Sequence, residues 1–415
     1  MLLALFLSTS ASAADLDAFL DAATVNDPDI AAAAARYDRA RAGVGVARSA
    51  LLPSVSASAG YQRNFPPVEI TLPGTDTTVN ITPEDQILGQ VRVNVPLLVP
   101  SAIAGTQAAA AQKRAEESAA ELATEGALLS VVQSYWTVLS ASRVERAAEE
   151  GLQAAATNLE LARARAALDA ASTLDVRRAE ADEARARQTK IAAEAQRRDA
   201  ERRLRTLTGL DDTPDAESRP RALPEGDLQA LALDRNAEVR AAREALGAAR
   251  LQGSQIAWTY APTVAASATM NVTNATGFSG KPVTGNAGVT ATWMLLDGGA
   301  RESRWAQARA GIRESEARLE GLERSVSDRV AAAEDQVSAN TASLEAARIG
   351  RDATAEALRL AEERFRLGDL DANQLTQARR DAFDAEVQAA RAEAGLAIAV
   401  EQLRLLVGAR LIDAG

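Results

Sequence analysis

The chain has no cysteine and no histidine in 415 residues. Thiolate nucleophiles, imidazole bases, disulfides and most zinc or haem ligation are therefore excluded together. Oxygen-only sites would survive that exclusion, but no D-x-D-x-D-G calcium loop and no G-x-x-x-x-G-K phosphate loop occurs. No catalytic constellation remains and no cofactor is implied, so an enzyme is not expected. Aromatic residues are only 3% of the chain, which leaves Tyr61, Phe65, Tyr260, Phe278 and Trp293 as the few candidates for a membrane-interface girdle. Positive charge is the minority sign, with a net charge of −11, and an acidic surface repels nucleic acid. After residue 13 no apolar run approaches the ~18 residues a membrane-crossing helix needs. Contact with a membrane would have to come through strands or a surface.

The first residues, MLLALFLSTSASAADLD, carry a short apolar core followed by Ala11-Ser12-Ala13, a small-x-small pattern. This reads as a signal peptide over residues 1–13, without the usual basic start. An ordinary buried helix start is the alternative.

What the chain does have is internal duplication. NDPDIAAAAARYDRARA from Asn26 lies over RNAEVRAAREALGAARL from Arg235. ALLPSVSASAGYQ lies over TYAPTVAASATMN, and VRVNVPLL from Val91 over VTATWMLL from Val289. LARARAALDAASTLDVRRAEAD from Leu161 lies over LAEERFRLGDLDANQLTQARRD from Leu360, and LRTLTG over LRLLVG. The order is the same in both halves. The reading is a first repeat over 14–210, a Pro- and Asp-rich linker over 211–226 and a second repeat over 227–415. Each repeat is expected as helix, two strands, one very long helix and a further helix.

The helical parts follow from spacing and from missing breakers. No proline interrupts 102–168 or 300–367, and helices of that length would run about 100 Å at 1.5 Å per residue. Leu375, Ala378, Ala382, Ala385, Ala389, Ala392, Leu396, Ala399, Leu403 and Leu406 keep a 3–4 spacing, as do Leu128, Val132, Tyr135 and Leu139, and Leu319, Leu322, Val326 and Val330. That is a coiled-coil seam. Asp27 can cap a helix whose first residue is Pro28.

Strands are expected near 54–66, 86–97, 262–274 and 285–296, because apolar and polar residues alternate there. Val55, Ala57, Ala59 and Tyr61 oppose Ser54, Ser56 and Ser58; Val91, Val93 and Val95 oppose Arg92 and Asn94; Val264, Ala266, Ala268 and Met270 oppose Ser267 and Thr269. Val289, Ala291, Trp293 and Leu295 form the fourth run. Ten residues with one lipid-compatible and one water-compatible face suit a membrane strand, although a soluble half-buried hairpin has the same pattern. Four strands cannot close a barrel alone, and open edges are not tolerated in lipid. The segment 66–85 reads as the longer external loop.

This duplicated order, with NDPDI, ALLPSVSASAGY and RFRLGDLD in place, resembles the TolC-like outer-membrane efflux proteins over nearly the whole chain. The resemblance implies a mainly α protein with a β-barrel part. Long helical hairpins and four membrane strands per protomer would assemble as a homotrimer, with a twelve-stranded barrel in outer-membrane lipid and an α-helical tunnel in the periplasm. It implies the exit duct of a tripartite efflux or type I secretion system, served by a periplasmic adaptor (membrane fusion) protein and an inner-membrane RND or ABC transporter. A periplasmic coiled-coil adaptor or structural spacer is the competing reading.

The resemblance also directs attention to the two helical turns. Leu367 and Gly368 stand at the family's tip motif with Asp369 beside them; Asp169 and Ala170 occupy the first turn. These would contact the adaptor. Phe365, Asp369, Asp371, Gln374 and Gln377, with Asp175 in the first repeat, would lie at the pore entrance. Phe365 lacks the hydroxyl of the family's tyrosine, and Gln374 and Gln377 replace its aspartates, so the usual gate network does not transfer. If the remaining aspartates face the lumen, three-fold symmetry makes each a carboxylate ring that favours cations. Exposed aspartates that cap helices, and a glycine that ends one, are the plainer readings.

Overall fold

The computed structural model describes residues 13–71, 73–74, 78–169, 171–215, 221–367, 369–409 and 411. The signal-peptide reading, apart from residue 13, lies outside the described residues, as do the Ala170 and Gly368 sites and part of the linker.

In chain order the elements are β1 (Ala13–Ala14), α1 (Leu16–Asn26), α2 (Pro28–Ser49), β2 (Ser54–Arg63), β3 (Val68–Thr71), β4 (Thr78–Thr82) and β5 (Asp85–Leu98), then α3 (Pro100–Ala167), α4 (Thr173–Thr208) and β6 (Thr213–Pro214). After these come α5 (Leu228–Arg235), α6 (Ala237–Ala257), β7 (Thr263–Thr273), β8 (Val283–Thr292), α7 (Ala300–Leu367) and α8 (Ala372–Leu406). The chain forms two compact units. One takes residues up to Ala35, then Ala119–Arg240 and Gly321 onward; the other takes Arg36–Ser118 and Ala241–Glu320. Each therefore draws on both halves of the sequence.

The first unit is helical apart from the short parallel pair β1–β6. Asp15 caps α1, accepting from the Leu16 amide at 2.7 Å. Leu16, Phe19, Leu20 and Ala23 then fall on one face and enter a core with Leu128, Val131, Val132, Tyr135, Trp136 and Leu139 of α3, Leu204 of α4, and Ala394 and Ala397 of α8. Phe19 meets Tyr135 edge-on at 5.5 Å. Burying each of these large side chains is worth about 1.5–3 kcal/mol. The chain turns between α1 and α2 at Asp27, whose Oδ1 accepts from the Asp29 and Ile30 amides while Pro28 opens the helix.

The seam on α8 is wider than its heptad. Leu375, Ala389, Ala399 and Leu403 are buried, and so are Ala390, Ala394, Ala397 and Val400 on a second stripe. Two neighbours explain this. Asn340 of α7 donates to the Gly395 carbonyl at 3.0 Å, and Arg143 of α3 pairs with Glu393. Alanine on both stripes lets helices approach on both sides.

The second unit carries the main sheet, a four-stranded antiparallel array in the order β2-β5-β7-β8. Its strands start and stop within a few residues of the expected positions. The segment after β2 is not a plain loop: β3 and β4 pair as a separate hairpin. Valines and threonines at Val68, Thr71, Thr78, Val79 and Thr82 supply β-propensity that an open-loop reading overlooked. On the helical side of this unit Ala104, Ala108, Ala111 and Ala248 are buried.

At the β8–α7 turn Gly298 and Gly299 both hold positive φ (70° and 86°), and the buried Arg301 is fixed there. Its guanidinium pairs with Asp297 at 3.2 Å, donates to the Leu295 carbonyl at 3.1 Å and lies 4.6 Å above the Tyr260 ring. The matching turn in the first half is Val99-Pro100, with no charge.

Candidate functional site at the helical tips and the sheet edges

Both helical turns belong to the first unit. In the first, α3 ends at Ala167, the Asp169 amide donates to the Ala166 carbonyl at 3.1 Å, and Asp169 takes φ 58°. It is the one described non-glycine residue in the left-handed region. Aspartate accepts that conformation more readily than branched or bulky residues. Ser172 caps α4 and shares a capping box with Asp175: Ser172 Oγ accepts from the Asp175 amide at 3.2 Å, and Asp175 Oδ2 accepts from the Ser172 amide at 3.0 Å and hydroxyl at 2.7 Å. These bonds, the hydroxyl's first, hold the Asp175 carboxyl below its ordinary value.

The second turn repeats the chemistry with different residues. Leu367 ends α7 with 72% of its surface exposed. The Asp369 amide donates to the Arg364 carbonyl at 2.9 Å. Asp371 caps α8, accepting from the Asn373 and Gln374 amides at 2.7 and 3.0 Å, and Gln374 closes the box. Gln377 donates along α8 to Asp381 at 2.7 Å. Asp175, Asp371 and Gln374 are thus engaged in helix capping; Asp369 is exposed and, among the described residues, gives only its backbone amide to the turn.

Near the turns, contacts among the described residues join the two hairpins, and sequence reading found one of their members. The Arg165 guanidinium lies 5.3 Å above the Phe365 ring. Thr376 donates its hydroxyl to Asp182 at 2.8 Å, and Arg380 approaches the same carboxylate at 3.8 Å. Phe365, expected at the pore entrance, is in place as a ring partner for a cation. Asp182, Thr376 and Arg165 were missed because nothing local marks them: Thr376 and Asp182 are 194 positions apart in the chain.

The sheet gives the second feature. Its register aligns Val55, Val93, Ala268 and Ala287 across the four strands, and Ala57, Val91, Met270 and Gly285 in the next row. Ser56, Arg92, Thr269 and Asn286 lie side by side on the opposite face. One face is therefore apolar and the other polar, and both are largely open to solvent in one chain; Val55 and Val289 are 70% and 67% exposed. β2 and β8 have no neighbour on their outer sides among the described residues. Among those residues, too, no helix is long and apolar enough to cross a membrane.

A family model described as outer membrane efflux protein matches residues 19–210 and 228–409. The chain belongs to the outer membrane efflux protein family. It is an outer-membrane channel and not an enzyme, and its helical part is periplasmic. The reading as a separate adaptor or spacer falls with this match. Solved structures agree on the fold. A membrane protein from Pseudomonas aeruginosa superposes with a TM-score of 0.78 at 22% identity, over 95% of this chain and 90% of that one. The CmeC outer membrane channel of Campylobacter jejuni gives 0.79 at 17% identity, over 95% and 85%. The open-state MtrE outer membrane channel of Neisseria gonorrhoeae gives 0.75 at 20% identity, over 95% and 88%. No curated protein sequence matches the chain.

Proposed function

We propose that this efflux protein is the passive exit duct of a tripartite efflux or type I secretion system, and that three copies form one channel. The observation that carries the reading is the open sheet. Unpaired strand edges cannot stay in hydrocarbon, and the apolar face needs lipid or a partner to cover it. Because the order β2-β5-β7-β8 is antiparallel throughout, β2 and β8 run in opposite directions. β8 of one copy can therefore pair antiparallel with β2 of the next, and the ring closes without a break in alternation. Twelve strands from three copies is the arrangement this reading takes.

The duplication into 14–210 and 227–415 about the linker 211–226 belongs to the same proposal. It is supported by the family match, which falls in two segments either side of that linker. Leu367, Gly368, Asp369, Asp169 and Ala170 are assigned to adaptor contact, and Asp369 with Phe365 to the entrance. Asp371, Asp175 and Gln374 shape that entrance through the helix starts they hold, and Gln377 joins them from the first turns of α8. The adaptor passes on cargo driven by an RND or ABC transporter. Native mass spectrometry of protein extracted from outer membranes tests the assembly: three copies with single-channel conductance in a planar bilayer support it. A monomer that conducts nothing overturns it.

A further inference from the structure

Glu401 of α8 has 1% of its surface exposed, yet neither of its carboxylate oxygens accepts a hydrogen bond among the described residues. Two guanidiniums answer its charge instead. Arg404, one turn further on, places Nε 3.4 Å from Oε2; Arg221, within the linker, places Nε 4.0 Å from Oε1. Each guanidinium then reaches a different stretch of backbone. Arg221 donates Nη1 to the Leu411 carbonyl at 2.7 Å and pairs through Nη2 with Asp17 on α1, while Arg404 donates to the Ala222 carbonyl. α1, the linker and Leu411, which follows α8, are thus tied together around one buried charge.

We propose that Glu401 anchors a releasable strap, in which Arg221 and Arg404 hold residues 221–222 of the linker against α8. The linker is the covalent connection into α5, so the strap fixes where the second half begins. A buried carboxylate is tolerated when its counter-charges are in place and is costly without them, so loss of either arginine contact leaves the other arms under-held. The outer arm is weaker by construction: the Asp17 side chain is 68% exposed, and solvent and salt screen such a pair. The strap can therefore open at Asp17 and Arg221 while α8 stays helical, a local opening of the kind that precedes any global unfolding.

The Arg221–Ala222 bond is itself a trypsin site, and the strap engages both sides of it. Limited trypsinolysis of the full-length protein in detergent, with fragments identified by mass, reads its opening. The intact protein is expected to resist cleavage there. Glu401→Gln, with unchanged helix content by circular dichroism, is expected to be cut about tenfold faster or more, since cleavage follows the open population. Asp17→Asn lies on an exposed surface and assembles even if Glu401→Gln does not; it is expected to be cut about threefold faster, in line with an exposed pair worth well under 1 kcal/mol. Cleavage of the unaltered protein at the rate of a free peptide spanning 216–227 would overturn the proposal. So would an Asp17→Asn rate equal to that of the unaltered protein.

Discussion

A Cβ on Gly408 would stand 2.5 Å from the Cβ of Arg235 and 2.6 Å from its carbonyl carbon and oxygen. The equivalent glycine of the first half, Gly209, faces only the Asn26 side chain, with Nδ2 at 3.1 Å. Both glycines hold left-handed φ, 76° and 72°, and both sit where a helix end is tied to a neighbour by an asparagine. Asn26 donates to the Thr208 carbonyl and Asn236 to the Leu406 carbonyl, each at 2.9 Å. Alanine at either site costs about 1–2 kcal/mol for the backbone conformation. At Gly408 the obstacle is backbone that cannot swing aside, which adds about 1–3 kcal/mol. Gly408→Ala is therefore expected to melt at a clearly lower temperature than Gly209→Ala, as followed by circular dichroism. Equal melting temperatures would show that Arg235 yields.

The faces of the sheet make a second expectation. Val93→Asp with Val289→Asp places carboxylates on the apolar face, where a charge is destabilising, by about 2–4 kcal/mol for Arg or Lys at mid-membrane depth and by less for Asp. The amount of assembled protein in outer-membrane fractions is expected to fall sharply. Ser56→Asp with Asn286→Asp, on the polar face, is expected to leave it near normal.

That contrast shows what was legible from sequence. Alternation at Val55–Tyr61 and Val91–Val95 gave the strands and their faces, since a period of two survives any neighbour. The proline-free runs gave α3 and α7. Asp27 and Pro28 announced the break between α1 and α2. The β3–β4 hairpin was overlooked because TLPGTDTT carries strong turn residues and only short flanking strands. The second buried stripe on α8 was overlooked because alanine suits seam and surface alike. Asp182 with Thr376, and Glu401 with Arg221, are long-range pairs, and one sequence has no local sign of such contacts.

The first turn has a pH dependence of known sign. Hydrogen bonds from Ser172 lower the Asp175 pKa, and bonds from Arg163 and Arg177 lower that of Glu180. A lowered folded-state pKa stabilises the turn fully above the ordinary carboxylate range and loses that stabilisation as pH falls through the lowered values. Amide exchange at 172–180, corrected for intrinsic rate, is expected to be protected at neutral pH and progressively unprotected in acid. Asp175→Asn is expected to flatten the Asp175 part of that profile, and an unchanged profile would remove Asp175 from the capping role.

Asp369 and Asp371 separate function from capping at the second turn. Asp369→Asn removes a charge without a side-chain cap bond and is expected to lower cation preference in bilayer recordings while stability holds. Asp371→Ala is expected to cost about 1 kcal/mol of helix stability. Unaltered selectivity in Asp369→Asn would take it off the pore wall.

The central claim is that β8 of one copy pairs with β2 of the next, and the cysteine-free chain allows a direct test. Ser54→Cys, Ser56→Cys and Ser58→Cys on β2 are each combined with Asn286→Cys, Gly288→Cys or Thr290→Cys on β8 and oxidised in intact outer membranes. At least one combination is expected to run as a covalent trimer on a non-reducing gel, with every single variant remaining a monomer after denaturation. If no combination links chains while the protein is abundant in the membrane, the sheet edges do not meet and the account is wrong.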